Sequence, residues 1–461
     1  MRKSLVATLA GITVAWAALA SPALADQPLP QLPVTDYTLP NGLRVILHED
    51  HANPTVAVNI WYHVGSKDEP EHRNGFAHLF EHLMFQGSKH VGEDQYFAYL
   101  ERAGASDRNG TTSEDRTNYY ETLPSNQLAL ALWLESDRMG FLLDHVDEAT
   151  FDSQRKVVLN ERRQNYEDQP YGMVSKYLQE SLFPVGHPYH NLTIGSPADL
   201  NAATLQDVRS FYKTYYVPDN ASLVVAGDIN PEATRQLIEQ YFGTLPKEPQ
   251  PTIHSQPDPV TLDKQTVLHV DAGVELARVY VAWPSPPFFA NGDAALDAVS
   301  QVLTSGKTSR LYKRLVYELQ VAKDVSAWQE SDQLASTFEI MATAKPGESA
   351  EKLLSVIDEE LAKLRDGGPT ADETNRAKIN LEASLIFRVE SIGRRADMFN
   401  TYAQYTGSPD YFARDVGRYR ALTPVDLQSA AKQWLPLDKR VVVLVKPNPQ
   451  APRSGVLASG G

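Results

Sequence analysis

Along the chain, stretches in which hydrophobic residues recur at every second position alternate with stretches in which they recur every three to four positions. This alternation predicts a mixture of strands and helices. Thr55–Val64 is rich in β-branched and aromatic residues and predicts a strand. Gly75–Phe85 predicts a helix, and Asp147–Tyr166 predicts a longer one whose first acidic residues suit the helix dipole. Further predicted elements are two strands around a turn at Asn41-Gly42 within Asp36–His48, helices at Gln95–Ala103 and Asn126–Leu143, a β-type stretch at Tyr119-Tyr120, and a strand at Ser222–Asp228. The pattern favours an α+β fold in which helices cover one face of a mainly antiparallel sheet.

A polar, proline-rich stretch over residues 246–263 divides the chain, and we place a domain boundary there. The two halves share a weak pattern, because Trp61 and Trp283 each precede an Asn-Gly pair that opens a helix. We therefore predict an internal duplication, with related domains over residues 34–250 and 260–448. Pro, Gly and Ser are frequent over residues 449–461, which we predict to be a disordered tail.

The first 25 residues have the pattern of a secretory signal peptide. Basic residues at positions 2 and 3 precede an uncharged, mostly apolar run of 16 residues, and a small-x-small pattern ends at Ala25. A transmembrane anchor is the alternative, but it would need about 20 apolar residues. We predict cleavage after Ala25, a linker over residues 26–33, and a periplasmic protein without stable membrane insertion.

Composition narrows the chemistry that the chain can carry out. It has 461 residues, 58 acidic against 43 basic side chains, and a formal net charge of −15, which argues against nucleic acid as a partner. Loss of the first 25 residues removes two bases and leaves −17, a charge that would favour basic peptides. Cysteine is absent, so disulfides, zinc–thiolate sites and a cysteine nucleophile are excluded. Any metal site must therefore be built from His, Asp and Glu.

The segment His78-Leu-Phe-Glu81-His82 provides such residues at helical spacing. Positions i, i+3 and i+4 share one helix face, so the two imidazoles and the carboxylate point the same way. Two imidazoles one turn apart can bind Zn²⁺, and the carboxylate beside them can act as a general base toward water. The order is that of the inverted zincins, H-x-x-E-H. The alternative is a solvated helix face that bears two histidines and a glutamate.

A catalytic zinc usually has three protein ligands, so a third ligand must come from elsewhere in the chain. Glu161 is a candidate, because it follows Val157 and Val158 by four and three residues and so shares their apolar stripe. A carboxylate on an inward face is unfavourable unless it is paired or bound to a metal. The alternative is an ion pair with Arg155 or Arg162.

The motif His78–His82, followed by Glu161, resembles the M16 family of zinc metallopeptidases, which includes pitrilysin, insulin-degrading enzyme and the mitochondrial processing peptidase. The resemblance covers most of the chain after the signal peptide. It includes Leu39-Pro40-Asn41-Gly42-Leu43, Gly75-Phe76-Ala77-His78, Val157-Val158-Leu159-Asn160-Glu161, Thr204 through Phe211-Tyr212, Tyr216-Val217-Pro218-Asp219-Asn220, and Val225-Ala226-Gly227-Asp228.

The resemblance implies roles for residues of this chain. His78, His82 and Glu161 would bind one zinc ion, and Glu81 would be the general base. Asn109 would lie on an edge strand that pairs with extended peptide substrate, a binding mode called β-augmentation. The implied fold is α+β with two related domains of the M16 type, and the implied activity is that of a zinc endopeptidase. A non-catalytic M16-like subunit or scaffold of a larger complex is the alternative.

Two positions depart from the family pattern. Gln154 stands where many relatives have an auxiliary glutamate, and an amide can orient a neighbour by hydrogen bonding but carries no charge. Val316 and Lys323 align with an arginine and a tyrosine that hold the scissile carbonyl in the family. We therefore expect an active dimer whose partner is a different, clamp-bearing M16-like chain.

Overall fold

The computed structural model describes residues 28–251, 257 and 259–458. Gln31–Gly461 is one compact unit by its contacts. The predicted signal peptide over residues 1–25 lies outside the described residues. Each described helix is too short or too polar to cross a membrane.

The first half of the chain contains a six-stranded sheet and eight α-helices within the described residues. The strands are β1 (Thr35–Thr38), β2 (Arg44–Glu49), β3 (Thr55–Tyr62), β4 (Ser106–Thr112), β5 (Thr117–Pro124) and β6 (Ala221–Gly227). The helices are α1 (Phe76–Leu83), α2 (Gln95–Arg102), α3 (Leu128–Phe141), α4 (Glu148–Arg162), α5 (Val174–Leu182), α6 (Pro197–Ala202), α7 (Leu205–Tyr215) and α8 (Pro231–Phe242). The strand order is β1-β2-β6-β3-β5-β4, and β2 with β6 is the one parallel pair.

The second half repeats this architecture with six strands and six helices in its described part. The strands are β7 (Thr266–Ala272), β8 (Arg278–Ser285), β9 (Ala322–Glu330), β10 (Ser336–Ala344), β11 (Val441–Pro447) and β12 (Val456–Leu457). The helices are α9 (Asp293–Thr304), α10 (Ala350–Gly367), α11 (Ala371–Arg388), α12 (Ile392–Thr406), α13 (Phe412–Arg420) and α14 (Pro424–Trp434). The order is β12-β7-β11-β8-β10-β9, and again one pair, β7 with β11, is parallel.

The matching strand orders confirm the predicted fold of two related α+β domains. The tryptophans that suggested the duplication are not equivalent, however. Trp61 lies on the face of the first sheet that α12 covers, and its Nε1 donates to Asp397 on that helix. Trp283 lies on the other face of the second sheet, in the core of that half, where it packs against Phe338. Counted from the two Asn-Gly pairs, Asn74-Gly75 and Asn291-Gly292, the positions of His78, Glu81 and His82 in α1 correspond to three residues of α9 that are apolar and buried: Ala295, Ala298 and Val299.

Each half contributes one helix to the other half's sheet. Val174 and Leu178 on α5 belong to a core cluster with Val441 and Val443 of β11. Conversely, Asn400 on α12 donates from Nδ2 to the Asn59 carbonyl of β3 at 3.0 Å. The predicted domain limits, 34–250 and 260–448, stay a prediction. The described strands of each sheet fall within one of these ranges except β12, which lies beyond residue 448, and α5 and α12 each pack on the sheet of the other half.

Two predicted segments differ from the structure. The helix predicted over Asp147–Tyr166 is α-helical only to Arg162, and residues 163–167 form a short π-helix. The disordered tail is wrong for residues 449–458, because β12 pairs with β7 and the Arg453 carbonyl accepts a hydrogen bond from the Tyr171 N–H. Residues 459–461 lie outside the described part of the chain.

Candidate metal centre

A carboxylate fixes the start of α1, which carries the H-x-x-E-H motif. Gly75 precedes the helix with φ +102° and has no side chain to cap it. The Glu69 carboxylate takes that role, accepting from the Gly75 and Ala77 N–H groups at 2.9 Å each. A Cβ at Gly75 would lie 2.9 Å from the Gly195 Cα, so this position requires glycine on both steric and conformational grounds.

The amphipathic character of α1 then directs the motif out of the core. Phe76, Leu79, Phe80 and Leu83 are buried in the core of the first half. The opposite face presents His78, Glu81 and His82, in agreement with the predicted helical spacing. The imidazole rings of the two histidines are 4.9 Å apart between centroids and nearly perpendicular.

The helix α4 brings Glu161 to the same place. Asp147 caps α4 by accepting from the Thr150 N–H at 2.9 Å. On the inner face of the same helix, Val158 packs into the core. Arg162, the next residue after Glu161, donates from Nη1 to the Gly195 carbonyl at 2.6 Å. Because Gly195 also contacts Gly75, one loop ties the start of α1 to the end of α4.

The ligand atoms of His78, His82 and Glu161 all lie within 4.8 Å of one another. Glu161 Oε2 is 3.2 Å from His82 Nε2 and 3.7 Å from His78 Nε2. The other oxygen of Glu161 accepts from Asn165 Nδ2 at 3.3 Å. His78 Nδ1 is buried and has no hydrogen-bond partner among the described residues. Two imidazole nitrogens and a carboxylate oxygen at this spacing fit the donor set of a catalytic zinc.

The electrostatics of the cluster suit metal binding. Burial, together with the charge of His82, lowers the pKa of His78 to about 4, so its imidazole is neutral at neutral pH and keeps a free lone pair. A hydrogen bond with His82 and the nearby imidazoles lower the pKa of Glu161, which is therefore ionised. Burial raises the pKa of Glu81, and a hydrogen bond from Thr112 partly offsets this.

Glu81 contacts the edge strand of the first sheet. Thr112 Oγ1, at the end of β4, donates to Glu81 Oε2 at 2.7 Å. A Cβ at Gly110 would lie 2.9 Å from the Glu81 Cγ, so glycine allows this close packing of β4 against α1. Asn109 is exposed on β4 and pairs with Tyr120 of β5, and within the described chain the other side of β4 carries no strand.

Three other predicted positions are placed as follows. Gln154 is buried, seven residues before Glu161 on α4, and its amide makes no hydrogen bond within the described part of the chain. Val316 packs partly against the core of the second half, and Lys323 is exposed on the edge strand β9. Neither position holds the arginine or tyrosine of the family's clamp.

Sequence reasoning missed the supporting residues of the centre. Glu69, Gly110, Thr112 and Asn165 contact the motif or its ligands, but each lies outside the H-x-x-E-H spacing. Only Gly110 and Thr112 had a sequence signal, because they follow Asn109 on the strand expected at the edge of the sheet.

The chain has two related α+β domains, and one of them carries a cluster of two histidines and two glutamates. This combination is typical of two-domain metallopeptidases. The chain belongs to peptidase family M16. The family model described as Insulinase (Peptidase family M16) matches residues 44–191, and the model described as Peptidase M16 inactive domain matches residues 202–381.

Individual relatives agree with this family. The zinc protease PqqE of Helicobacter pylori is 31% identical over 417 residues, which cover 89% of this chain and 92% of that protein. The crystal structure of a protease from Helicobacter pylori superposes with a TM-score of 0.84 at 29% identity, over 90% of this chain and 100% of that one. A peptidase M16 inactive domain from Pseudomonas fluorescens shares the fold at 19% identity, with a TM-score of 0.81 over 90% of this chain and 99% of that one.

Proposed function

We propose that the chain is a zinc-dependent endopeptidase that hydrolyses peptides or small unfolded proteins in extended conformation. The convergence of His78, His82 and Glu161 within 4.8 Å, with Glu81 on the same helix face, carries this proposal. These three residues would hold one zinc ion, which supplies a Lewis acid for a peptide carbonyl and for water. Glu81 is the general base, which accepts a proton from water and returns it to the leaving amine.

The substrate lies along β4 as an added strand. The free side of this edge strand offers backbone N–H and C=O groups to an extended peptide, and Asn109 is exposed there. The hydrogen bond from Thr112 to Glu81 then fixes the register between the bound peptide and the general base. Gln154 is buried on α4, seven residues before Glu161, and its amide would orient a neighbouring group by hydrogen bonding once zinc and substrate are bound.

Replacing the general base tests the assignment. Glu81→Gln should retain stoichiometric zinc, measured by elemental analysis, and lose about 10²–10⁴-fold in peptide cleavage. Glu101→Gln, an exposed residue on α2, is the matched control and should keep full activity. Cleavage by Glu81→Gln at the original rate would refute the mechanism.

The active form is a dimer, preferably with a different M16-like chain. Val316 and Lys323 leave the chain without its own pair of donors for the carbonyl oxygen that becomes negative in the transition state. A partner that carries an arginine and a tyrosine would supply them. Activity measured across a gel-filtration profile tests this, and a fully active monomer would contradict it.

A non-catalytic subunit or scaffold is the second candidate. The match of residues 202–381 to an inactive-domain model and the missing clamp residues favour it, whereas the complete donor set opposes it. Zinc content separates the two candidates, because well-folded protein with a zinc-to-protein ratio near zero would favour the scaffold.

The location is the periplasm, after removal of residues 1–25. The basic start, the apolar run and the small-x-small pattern support it. N-terminal sequencing of protein from a periplasmic fraction should begin at Asp26, and a full-length chain in the cytoplasm would contradict the location.

A further inference from the structure

Asp115 is a fully buried carboxylate in the turn between the edge strand β4 and its neighbour β5. Its side chain forms no ion pair among the described residues. Hydrogen-bond donors from three separate parts of the chain surround it instead. A buried carboxylate is unfavourable unless such donors satisfy its oxygens, so these contacts fix where the turn lies.

Two elements of the second half contribute donors to this carboxylate. The Gln333 N–H, in the turn between β9 and β10, donates to Asp115 Oδ2 at 2.7 Å, and the Tyr405 hydroxyl on α12 donates to the same oxygen at 3.1 Å. The Tyr189 hydroxyl donates to Oδ1 at 2.5 Å and accepts from the Leu334 N–H at 3.0 Å. The carboxylate therefore holds the β4–β5 turn against the β9–β10 turn and α12.

On its other side, the β4–β5 turn packs against residues 65–68, which lead toward α1. The Ser66 N–H donates to the Ser113 carbonyl at 3.1 Å. The Lys67 N–H donates to the Glu114 carbonyl at 3.0 Å. A Cβ at Gly65 would lie 2.3 Å from the Glu114 carbonyl oxygen, so glycine allows this close approach of the two backbones. The turn and residues 65–68 are therefore held together.

These two segments connect directly to the candidate metal centre. Glu69 follows residues 65–68, and its carboxylate accepts from two N–H groups at the start of α1. Thr112, the last residue of β4, precedes the turn and donates to Glu81. A displacement of the turn would therefore reach both the helix that carries the histidine ligands and the strand proposed to bind substrate.

We propose that Asp115 is a positioning residue, through which the second half sets the position of β4 relative to α1. The proposal rests on the proposed endopeptidase function, because β4 would hold the substrate while α1 carries the general base and two zinc ligands. A misplacement of about 1 Å between substrate and catalytic groups can reduce turnover about 100-fold. The second half thereby takes part in aligning the reaction, although its described residues carry no metal cluster.

Two substitutions weaken this contact without adding bulk. Asp115→Asn keeps the shape of the side chain but has one acceptor oxygen instead of two, so the Gln333 N–H and the two tyrosine hydroxyls cannot all be accepted as before. Tyr405→Phe removes only the hydroxyl that α12 contributes. Tyr402→Phe is the matched control, because this hydroxyl on the same helix donates at 2.8 Å to a buried carboxylate of the second half, Asp415.

Hydrogen–deuterium exchange measures the link to the turn independently of catalysis. The reporters are the amides of residues 66, 67 and 113, which form backbone hydrogen bonds within the turn and residues 65–68. They should exchange at least about tenfold faster in Asp115→Asn and about threefold faster in Tyr405→Phe. Tyr402→Phe should keep the wild-type rates. Unchanged exchange in Asp115→Asn, or equally fast exchange in the control, would overturn the proposal.

Zinc release and steady-state kinetics measure the effect on the centre. Asp115→Asn loaded with stoichiometric zinc should release it to a chelator several-fold faster than wild type, because α1 loses part of its support. In cleavage of an extended decapeptide, kcat per zinc-loaded chain should fall about 10- to 100-fold. Peptide affinity, measured by fluorescence anisotropy in the Glu81→Gln background, should change less than about threefold, because β4 keeps its free edge. Partial unfolding would instead lower the fraction of protein that binds peptide.

The outcomes distinguish this proposal from the proposed function. Faster exchange with wild-type zinc release and wild-type kcat would show that Asp115 only stabilises the fold, which would overturn its positioning role. If Asp115→Asn does not fold, the same measurements on Tyr405→Phe decide, with smaller expected changes. A wild-type protein that binds zinc but cleaves no peptide would refute the endopeptidase function, and exchange together with zinc release would still decide whether Asp115 positions α1.

Discussion

Glu339→Gln should stabilise the protein at alkaline pH and leave it unchanged at acidic pH. Burial is the main cause that raises the pKa of Glu339 from an ordinary 4.5 to about 7, and the carboxylate of Glu330 on β9 adds to it. Tyr280 on β8 also faces Glu339, and no described lysine, arginine or histidine forms an ion pair with Glu339. The folded chain therefore binds a proton more tightly at this site than the unfolded chain does.

The sign and size of the effect follow from linkage. Because the pKa is higher in the folded state, protonation of Glu339 contributes to stability, and this contribution is fully present below the unfolded pKa of 4.5. The contribution is lost as the pH rises from 4.5 toward 7. A shift of this size corresponds to at most about 3 kcal/mol at pH 8. Partial exposure of the half-buried side chain and its coupling to Glu330 reduce the expected value to about 1–2 kcal/mol.

Thermal unfolding of wild type and variant at two pH values measures this difference. At pH 8 the Tm of Glu339→Gln should rise by roughly 2–4 °C, and at pH 5 the two proteins should agree within about 1 °C. Glu359→Gln is the control and should show no pH-dependent difference. An equal shift at both pH values would show that the amide acts through packing, and destabilisation at pH 8 would refute the reasoning about burial.

Three further predictions concern the metal centre. Thr112→Val removes the hydrogen bond that lowers the pKa of Glu81, so the acidic limb of the pH profile of kcat/KM should move to higher pH, and an unmoved limb would contradict this. Gly110→Ala would bring a Cβ to 2.9 Å from the Glu81 Cγ, and we expect a loss of about 1–3 kcal/mol in urea unfolding together with reduced cleavage; wild-type values of both would contradict it. Glu69→Gln leaves one of the two N–H groups at the start of α1 without an acceptor, so it should destabilise the protein by about 1–3 kcal/mol. The variant should also release zinc to a chelator several-fold faster, and wild-type zinc retention would contradict a positioning role for Glu69.

The parts of the centre that sequence reasoning found are those fixed by local spacing. His78, Glu81 and His82 share a face because one helix carries them. The apolar stripe that pointed to Glu161 holds only in part, because Val158 is buried in the core whereas Val157 is 43% exposed. The two-layer α+β fold followed from hydrophobic periods in the same way. These features need no knowledge of how distant segments meet.

The remaining features depend on contacts between distant segments. Glu69 caps α1 from a loop, and α5 and α12 pack on the sheet of the opposite half. β12 looked like a polar tail because its two residues gain their strand pairing only from β7. Periodicity reports which residues are buried, but it does not report which surface buries them.

The two halves share one sheet topology but differ in the chemistry of their helices. The pair β10–β9 occupies the same place in its sheet as β5–β4 does in the first. In each sheet a helix from the other half packs on the central strands, α12 on β3 and α5 beside β8. The helix α12 also reaches the outer strand β5, where Asn118 Nδ2 donates to Asp397 at 3.4 Å. The second half has apolar, buried residues on α9 where the first half has His78, Glu81 and His82 on α1. Among the described residues, the duplicated fold therefore carries a candidate metal centre in the first half alone, and the second half supports that half's sheet through α12.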